Sequence, residues 1–264
     1  MLTKFGVLVA TIWVFGLTEV VAQKQDSTVA KEFNKWEFRI SPFFWYIGIE
    51  GQVNAPPKPS NIPEIEPIID IDLDFKDISH SIKFAMMISG DYRGDWLVSK
   101  FNFMSLILDT DAVTSKEILL KDVNLKFHYF SGDLAFGYLF LDRRKVDMEI
   151  FGGVKIASVK ARIKGTVLVF PMEGERHSIW FDPMVAYRVR YFPIRRLEIM
   201  GYADYGLRFW QHQAYQLNTE AVFHFSKLFY MSLGYRVWGL HADINDAVYS
   251  GRLKGWISRI GFQF

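Results

Sequence analysis

From Trp36 onward the sequence alternates between apolar and polar residues with a period of two. That period belongs to an extended strand with one face buried; a helix would repeat near 3.6. Ile179 to Tyr191 is the clearest case. Ile179, Phe181, Pro183, Val185, Tyr187, Val189 and Tyr191 share one face, and Trp180, Asp182, Met184, Ala186, Arg188 and Arg190 share the other. A continuous apolar face that ends in tyrosine, set against a charged face, suits a strand with lipid on one side and a polar lumen on the other.

The pattern recurs in ten segments. They are Trp36–Ile49, a run marked by Ile82, Phe84, Met86 and Ile88, then Trp96–Leu108, Val123 to Phe140, Val146 to Ile156, Ile179–Tyr191, Leu197–Trp210, Leu217–Phe225, Phe229–Leu240 and Gly251–Phe264. Links alternate in length. Short turns are predicted at Gly90–Asp95, Asp142–Lys145, Pro193–Arg196 and Ser226–Leu228. Longer links are predicted at Gly51–Ser79, Asp109–Ile118, Ser158–Arg176 and Ala242–Ser250, with a shorter member of that class at Gln211–Ala214. Pro56, Pro57, Pro59, Pro63 and Pro67 make the first long link a loop. Short turns on one side and long loops on the other are the rhythm of an up-and-down membrane barrel. The prediction is all-β: a single antiparallel transmembrane β-barrel of about ten strands, with eight or twelve as alternatives. Ten strands leave roughly 24 residues for each strand and its link, enough for a tilted span of about 9–11 residues.

Residues 1–22 read as a signal peptide. Lys4 precedes an apolar run from Phe5 to Leu17, and Val20 and Ala22 sit three and one residues before a cut ahead of Gln23. The run is too short for a bilayer anchor. Residues 23–35 are then a short periplasmic segment and 36–264 the barrel. The 264 residues contain no cysteine, which excludes disulfide staples, thiolate metal sites, thiol nucleophiles and a lipidated N-terminal cysteine. A formal charge of +2 gives no footprint for nucleic acid. The 24 Phe, 12 Tyr and 8 Trp residues are many for a soluble chain; lipid-facing positions and interfacial girdles account for them.

The chain ends on Phe264, with Phe262, Ile260, Ser258 and Trp256 on the same alternation. A last strand closing on an aromatic resembles the signal by which barrels are recognised for membrane insertion. Arg259 stands where a glycine is usual, with Gly255 and Gly261 nearby. Further stretches carry a wider resemblance: Ser41-Pro42-Phe43-Phe44-Trp45, Asp70–Ser79, Gly94-Asp95-Trp96, Trp180-Phe181-Asp182-Pro183, Gly201-Tyr202-Ala203-Asp204, Leu233-Gly234-Tyr235-Arg236 and Gly261-Phe262-Gln263-Phe264. In this order they resemble porin-like Gram-negative outer-membrane β-barrel proteins. The resemblance implies one barrel in the cell outer membrane, with no catalytic residue and no cofactor.

The polar faces then line the lumen. The acids expected inside are Glu37, Asp122, Asp147, Glu149, Asp182, Glu198, Asp204 and Glu220; the bases are Arg39, Lys83, Lys100, Lys126, Lys155, Arg188, Arg190, Arg208, Arg236 and Arg259. In so narrow a barrel such charges pair, so the expectation is a mostly closed, salt-bridged interior. Asp70, Asp72 and Asp74 share one face of an extended run; Ca²⁺ or lipopolysaccharide is one use, and an extra strand above the membrane with a solvated face is the plainer one. As a spanning strand, the run would raise the count toward twelve. His80, His128, His177, His212, His224 and His241 show no metal-ligand spacing. His128 and His224 are placed inside, beside carboxylates. Gln211-His212-Gln213 lacks the adjacent acid of the ten-stranded proteases. The basic links Arg143-Arg144-Lys145 and Arg195-Arg196, and Lys160, Arg162 and Lys164, suit either lipid headgroups or ordinary solvated turns.

No catalytic, cofactor-binding or metal-binding residue is assigned, and no cofactor. The expected partners are outer-membrane lipids and lipopolysaccharide, and the barrel-assembly machinery through the last strand; no nucleic acid is expected, and the oligomeric state is left open. A structural or surface-interaction barrel is the leading reading. A narrow channel for small or apolar solutes and a membrane-embedded hydrolase are the alternatives.

Overall fold

The computed structural model describes residues 36–54, 68–110, 120–143, 145–167, 170–207, 212–244 and 247–264. The predicted leader, the 23–35 segment and the proline-rich part of the first long link lie outside them. The described chain forms β1 (Glu37–Asn54), β2 (Ile68–Leu73), β3 (Ile82–Arg93), β4 (Leu97–Thr110), β5 (Leu120–Asp142), β6 (Val146–Val167), β7 (Phe170–Ile194), β8 (Leu197–Gly206), β9 (His212–His224), β10 (Phe229–Ile244) and β11 (Ala247–Gln263), with one short helix, α1 (Phe75–Ser79).

Each strand from β3 to β11 pairs antiparallel with the next, and β1 pairs with both β3 and β11. The result is a closed ten-stranded barrel. Closure pairs the two ends of the described chain: Phe38 N–H donates to Phe264 O at 3.1 Å, and Phe264 N–H to Phe38 O at 2.9 Å. With an even strand number both ends lie at the rim of the short turns, which is the periplasmic rim of such barrels. β2 is the eleventh strand. It adds to β1 alone, from Ile49↔Leu73 to Asn54↔Ile68, above the ten that close the wall. Asp70 and Asp72 are therefore in the extra strand of the plainer reading, with Asp74 just past its end, and the run does not raise the barrel count.

Several boundaries differ from the sequence reading; the predicted link Ala242–Ser250, for one, is strand up to Ile244 and again from Ala247. Gly90 to Arg93 stay in β3, paired to Ile40 through Glu37, so the first turn is only Gly94–Trp96. The span read as a link from Ser158 to Arg176 is strand on both sides: β6 and β7 stay in register to Val167↔Phe170. The outer links are largely prolonged hairpins, because a hairpin satisfies its own backbone groups wherever it leaves the membrane.

The outward face is apolar. Phe44, Phe84, Met86, Phe130, Leu134, Phe136, Ile150, Ile179, Phe181, Val185, Leu217, Leu233, Trp256 and Ile260 are exposed. Lipid is the solvent that such a surface fits. At the short-turn rim Trp36, Trp96, Tyr138, Phe140, Tyr191, Phe225 and Phe264 form an aromatic girdle.

Candidate functional site

The lumen is filled, and its filling changes character with height. Near the short-turn rim it is ionic around a small apolar cluster of Val98, Ala135, Leu139, Phe151, Met184, Ala186 and Tyr202. Glu149 of β6 takes hydrogen bonds from Arg188 Nε and Arg190 Nη2 of β7, both at 2.5 Å. Those arginines sit two apart on one strand face, so one carboxylate meets both. Arg188 also bonds Asp91 of β3. Arg39 of β1 reaches across to Glu198 of β8 at 2.9 Å and pairs with Glu37 at 2.5 Å. Arg93 of β3 meets Asp147 of β6 at 3.1 Å. Lys155 of β6 meets Asp204 of β8 at 2.5 Å. β1 and β8, β3 and β6, β3 and β7, and β6 and β8 are not neighbours in the wall. These pairs are crossbars through the lumen.

A second cluster centres on Glu220, which accepts from Arg259 Nε and Ser232 Oγ at 2.7 Å each and also from Asn218. Gly234, in the Leu233-Gly234-Tyr235-Arg236 stretch, makes room for it: a Cβ there would lie 2.5 Å from Glu220 Cγ. His224 Nε2 lies 3.3 Å from Glu198, the inward carboxylate partner expected of it. Lys100 sits 3.5 Å above the Tyr202 ring and 3.7 Å from Asp133.

Above this layer the lumen is apolar. Phe43, Trp45, Ile47, Met87, Met104, Leu106, Leu108, Tyr129, Ala157, Trp180, Trp238, Leu240, Leu253 and Ile257 are buried together, joined by Ile78 of α1. Tyr129 and Trp238 meet edge-on at 5.7 Å. Arg236 marks the boundary, its guanidinium 4.9 Å from the Phe43 ring and 5.4 Å from that of Trp45. A cavity of about 40 Å³ lies within the ionic layer, among Arg39, Asp91, Lys100, Arg188, Glu220 and Arg259, and one of about 10 Å³ lies at the junction of the layers, between Trp45, Trp238, Asp133 and Arg236. One water needs roughly 10–15 Å³ by that measure, so they hold a few waters and no solute.

The inward positions predicted for Glu37, Arg39, Lys100, Asp147, Glu149, Lys155, Asp182, Arg188, Arg190, Glu198, Asp204, Glu220, Arg236 and Arg259 hold. Three expectations fail. Lys83 is exposed at a bulge, where β3 shifts register against β4 between Ile82 and Phe84. Lys126 and His128 are exposed on the outward side of β5; Lys126 pairs there with Asp109 at 3.2 Å. At this height the inward side of β5 carries Phe127 and Tyr129 against the apolar layer and the outward side is polar, so the polarity expected of a spanning strand is reversed. The side chains of Asp122, Arg208 and His212 lie outside what is described. Asp91, Arg93 and Asp133 are inward charges absent from the expected set, and a salt-bridged interior throughout gives way to one that is ionic only below. Carrying the alternation through Gly90 would have found Asp91 and Arg93; Asp133 shares the face of Tyr129, which the sequence reading set outward and the structure sets inward. Among the described residues no group of three His, Asp or Glu side chains is placed to hold a metal.

No protein-family model matches this sequence, and no curated protein matches it. Among solved structures, the fold is similar to the outer membrane protease OmpT from Escherichia coli, with a TM-score of 0.51 and 9% identity over 90% of this chain and 99% of that one. Lower-scoring matches include Ail, the attachment invasion locus protein of Yersinia pestis (TM-score 0.34, 9% identity, 88% and 100% covered). Another is the Pseudomonas putida toluene transporter TodX (TM-score 0.30, 8% identity, 94% and 93% covered). At such identities the likeness to OmpT is one of fold. The chain is an integral outer-membrane β-barrel.

Proposed function

We propose that this barrel is a closed one, with a structural or surface-interaction role, and that it carries no water-filled path and no catalytic centre. The observation that carries the reading is the double seal: an ionic layer of cross-lumen pairs below and an apolar layer above, in which the cavities seen are water-sized. Each layer stops a different traveller. Ions meet the apolar layer, where a bare charge is costly. Apolar solutes meet the ionic layer, where they break pairs without replacing them.

Reconstitution into planar bilayers tests it. The wild-type chain is expected to show no stable opening of general-porin size; such an opening would refute the sealed lumen. His224 fits a structural role through Glu198, which supports the non-enzymatic reading. Outer-membrane lipids and lipopolysaccharide are the surroundings that the apolar outer face and the exposed hairpins suit.

The last strand supports a role in assembly. Phe264 is hydrogen-bonded to Phe38 in both directions while its ring faces outward. Deleting Phe264 removes both the terminal aromatic and two closing hydrogen bonds. The truncated chain is expected to reach the outer membrane at clearly lower levels, read by heat-modifiability of the barrel on gels; unchanged levels count against an assembly role.

A further inference from the structure

One stretch of the barrel wall lacks its rungs. The ladder between β1 and β3 runs from Glu37↔Arg93 to Pro42↔Ile88 and stops there, beside a hydrogen bond between Ser41 Oγ and Ser89 Oγ. β1 next finds a partner on that side at Ile49, and the partner is β2. Phe43 to Gly48 therefore have β11 on one side and no strand on the other. β3 continues upward from Ile88 to Ile82 joined to β4 alone.

Exposure along β3 shows what this does. Lys83, Phe84, Ala85 and Met86 are all exposed, so both faces of the strand are open there. Ala85 is the telling residue. It lies opposite Leu106 of β4, which is 3% exposed and belongs to the apolar layer of the lumen. Met87, just below, also belongs to that layer. The gap thus leads from the barrel surface to the apolar interior.

α1 stands in the gap. Ile78 is 4% exposed and packs into the apolar layer. Phe75 packs edge-on against the outward rings of Tyr46 and Phe44, at 5.1 and 6.4 Å. The helix is one turn long; its exit closes on itself through Ser81 N–H to Ile78 O at 2.8 Å and is tied to the wall by one bond, Asp109 N–H to Ser81 O at 2.9 Å. A paired strand would be a stronger closure, since hydrocarbon leaves unpaired strand edges unsatisfied. A side-chain stopper in a wall built elsewhere from continuous ladders is a replaceable part.

We propose that this gap is a lateral site for the acyl chain of a membrane lipid, entered sideways from the bilayer when α1 lifts. The lips argue for that occupant. Phe44 and Tyr46 on one side, and Phe84 and Met86 on the other, continue the lipid-facing surface up to the opening, so an acyl chain is what already lies against it. Beyond the lips the chain meets Met87, Leu106 and Trp45, all apolar. The proposal goes beyond a closed lumen, because the ionic layer below stays intact and no through-path forms.

Wild-type chain folded into phosphatidylcholine vesicles that carry a lipid with a mid-chain diazirine tests it by photolysis and mass spectrometry. Adducts are expected on Met87 and Ile78, and on outward residues such as Phe181 and Trp256. Trp180, across the barrel in the same apolar layer, is expected to stay clean. Adducts confined to outward residues, or equal yields on Trp180 and Met87, would overturn the proposal. The Ile78→Ala variant is expected to raise the Met87 yield several-fold; an unchanged yield would remove α1 from the role of stopper. A diazirine fatty acid that labels Met87 where the lipid does not would reassign the site away from membrane lipid. Conductance reports separately on the sealed lumen, so either reading can fail alone.

Discussion

The lower and upper halves of the lumen are built from the same strands by the same alternation, yet they are held together differently. The lower half is held chiefly by point contacts, set around a small apolar cluster that includes Val98, Leu139 and Phe151. Glu149 serves Arg188 and Arg190, and Arg39 crosses to Glu198; each charge depends on a named partner at a fixed distance. The upper half is a volume filled by rings and aliphatic chains, among them Trp45, Trp180, Trp238 and Tyr129. A charge that loses its partner cannot relax into a new arrangement, whereas apolar side chains partly can. Stability should therefore fall more steeply when the lower half is cut than when the upper half is.

The largest effect is expected from Glu149→Ala. It takes from two buried guanidiniums the carboxylate they share, leaving Arg188 with Asp91 and Arg190 with Glu37 at 3.7 Å, and breaking a buried pair costs about 3–5 kcal/mol. Urea titration of the barrel folded in vesicles should show the midpoint falling accordingly. A loss no larger than that of the Trp238 variant would erase the contrast between the halves. Trp238→Ala comes next. It removes the edge contact with Tyr129 and leaves a hole, at about 3 kcal/mol. The hole joins the small cavity that Trp238 lines with Asn102, Asp133, Lys155 and Arg236, so it should take up water, but the rest of the apolar layer stays in place and bilayer conductance should not rise. A conducting Trp238→Ala barrel would mean that the apolar layer alone had been the seal. The smallest effect is expected from Lys126→Ala, whose partner Asp109 lies on the exposed side of the wall; a surface pair of this kind contributes less than about 1 kcal/mol. A larger loss would show that the tall hairpins contribute to barrel stability through their charges.

What could be read from the sequence follows the same division. The ten spanning strands were legible because lipid demands an apolar face, and Ile179 to Tyr191 keeps one without a break. The lower-lumen charges were legible for the complementary reason. Lys126 and His128 were not, because there β5 turns its apolar Phe127 and Tyr129 into the lumen and its polar side outward, the reverse of a spanning strand. Asp91 and Arg93 were hidden behind Gly90, which reads as a turn and is instead a strand residue paired with Ile40. The apolar upper lumen left only a faint mark: Trp180 on the face that also carries Asp182, Arg188 and Arg190. A large ring among charges signals a change of layer, but alternation cannot say at what height the change occurs. The gap beside β3 was illegible for another reason. Apolar residues run through it without interruption, and only the pairing reveals that a partner is missing.

The closing rungs between Phe38 and Phe264 have a consequence for the order of folding. They join residues near opposite ends of the sequence, so the loop they close is nearly the whole chain, and the entropy of that closure is recovered only when every hairpin between is already in place. Until then β1 and β11 are free edges, and a free edge accepts a strand from any chain that offers one. The unfinished barrel is thus most adhesive at the two strands it completes last.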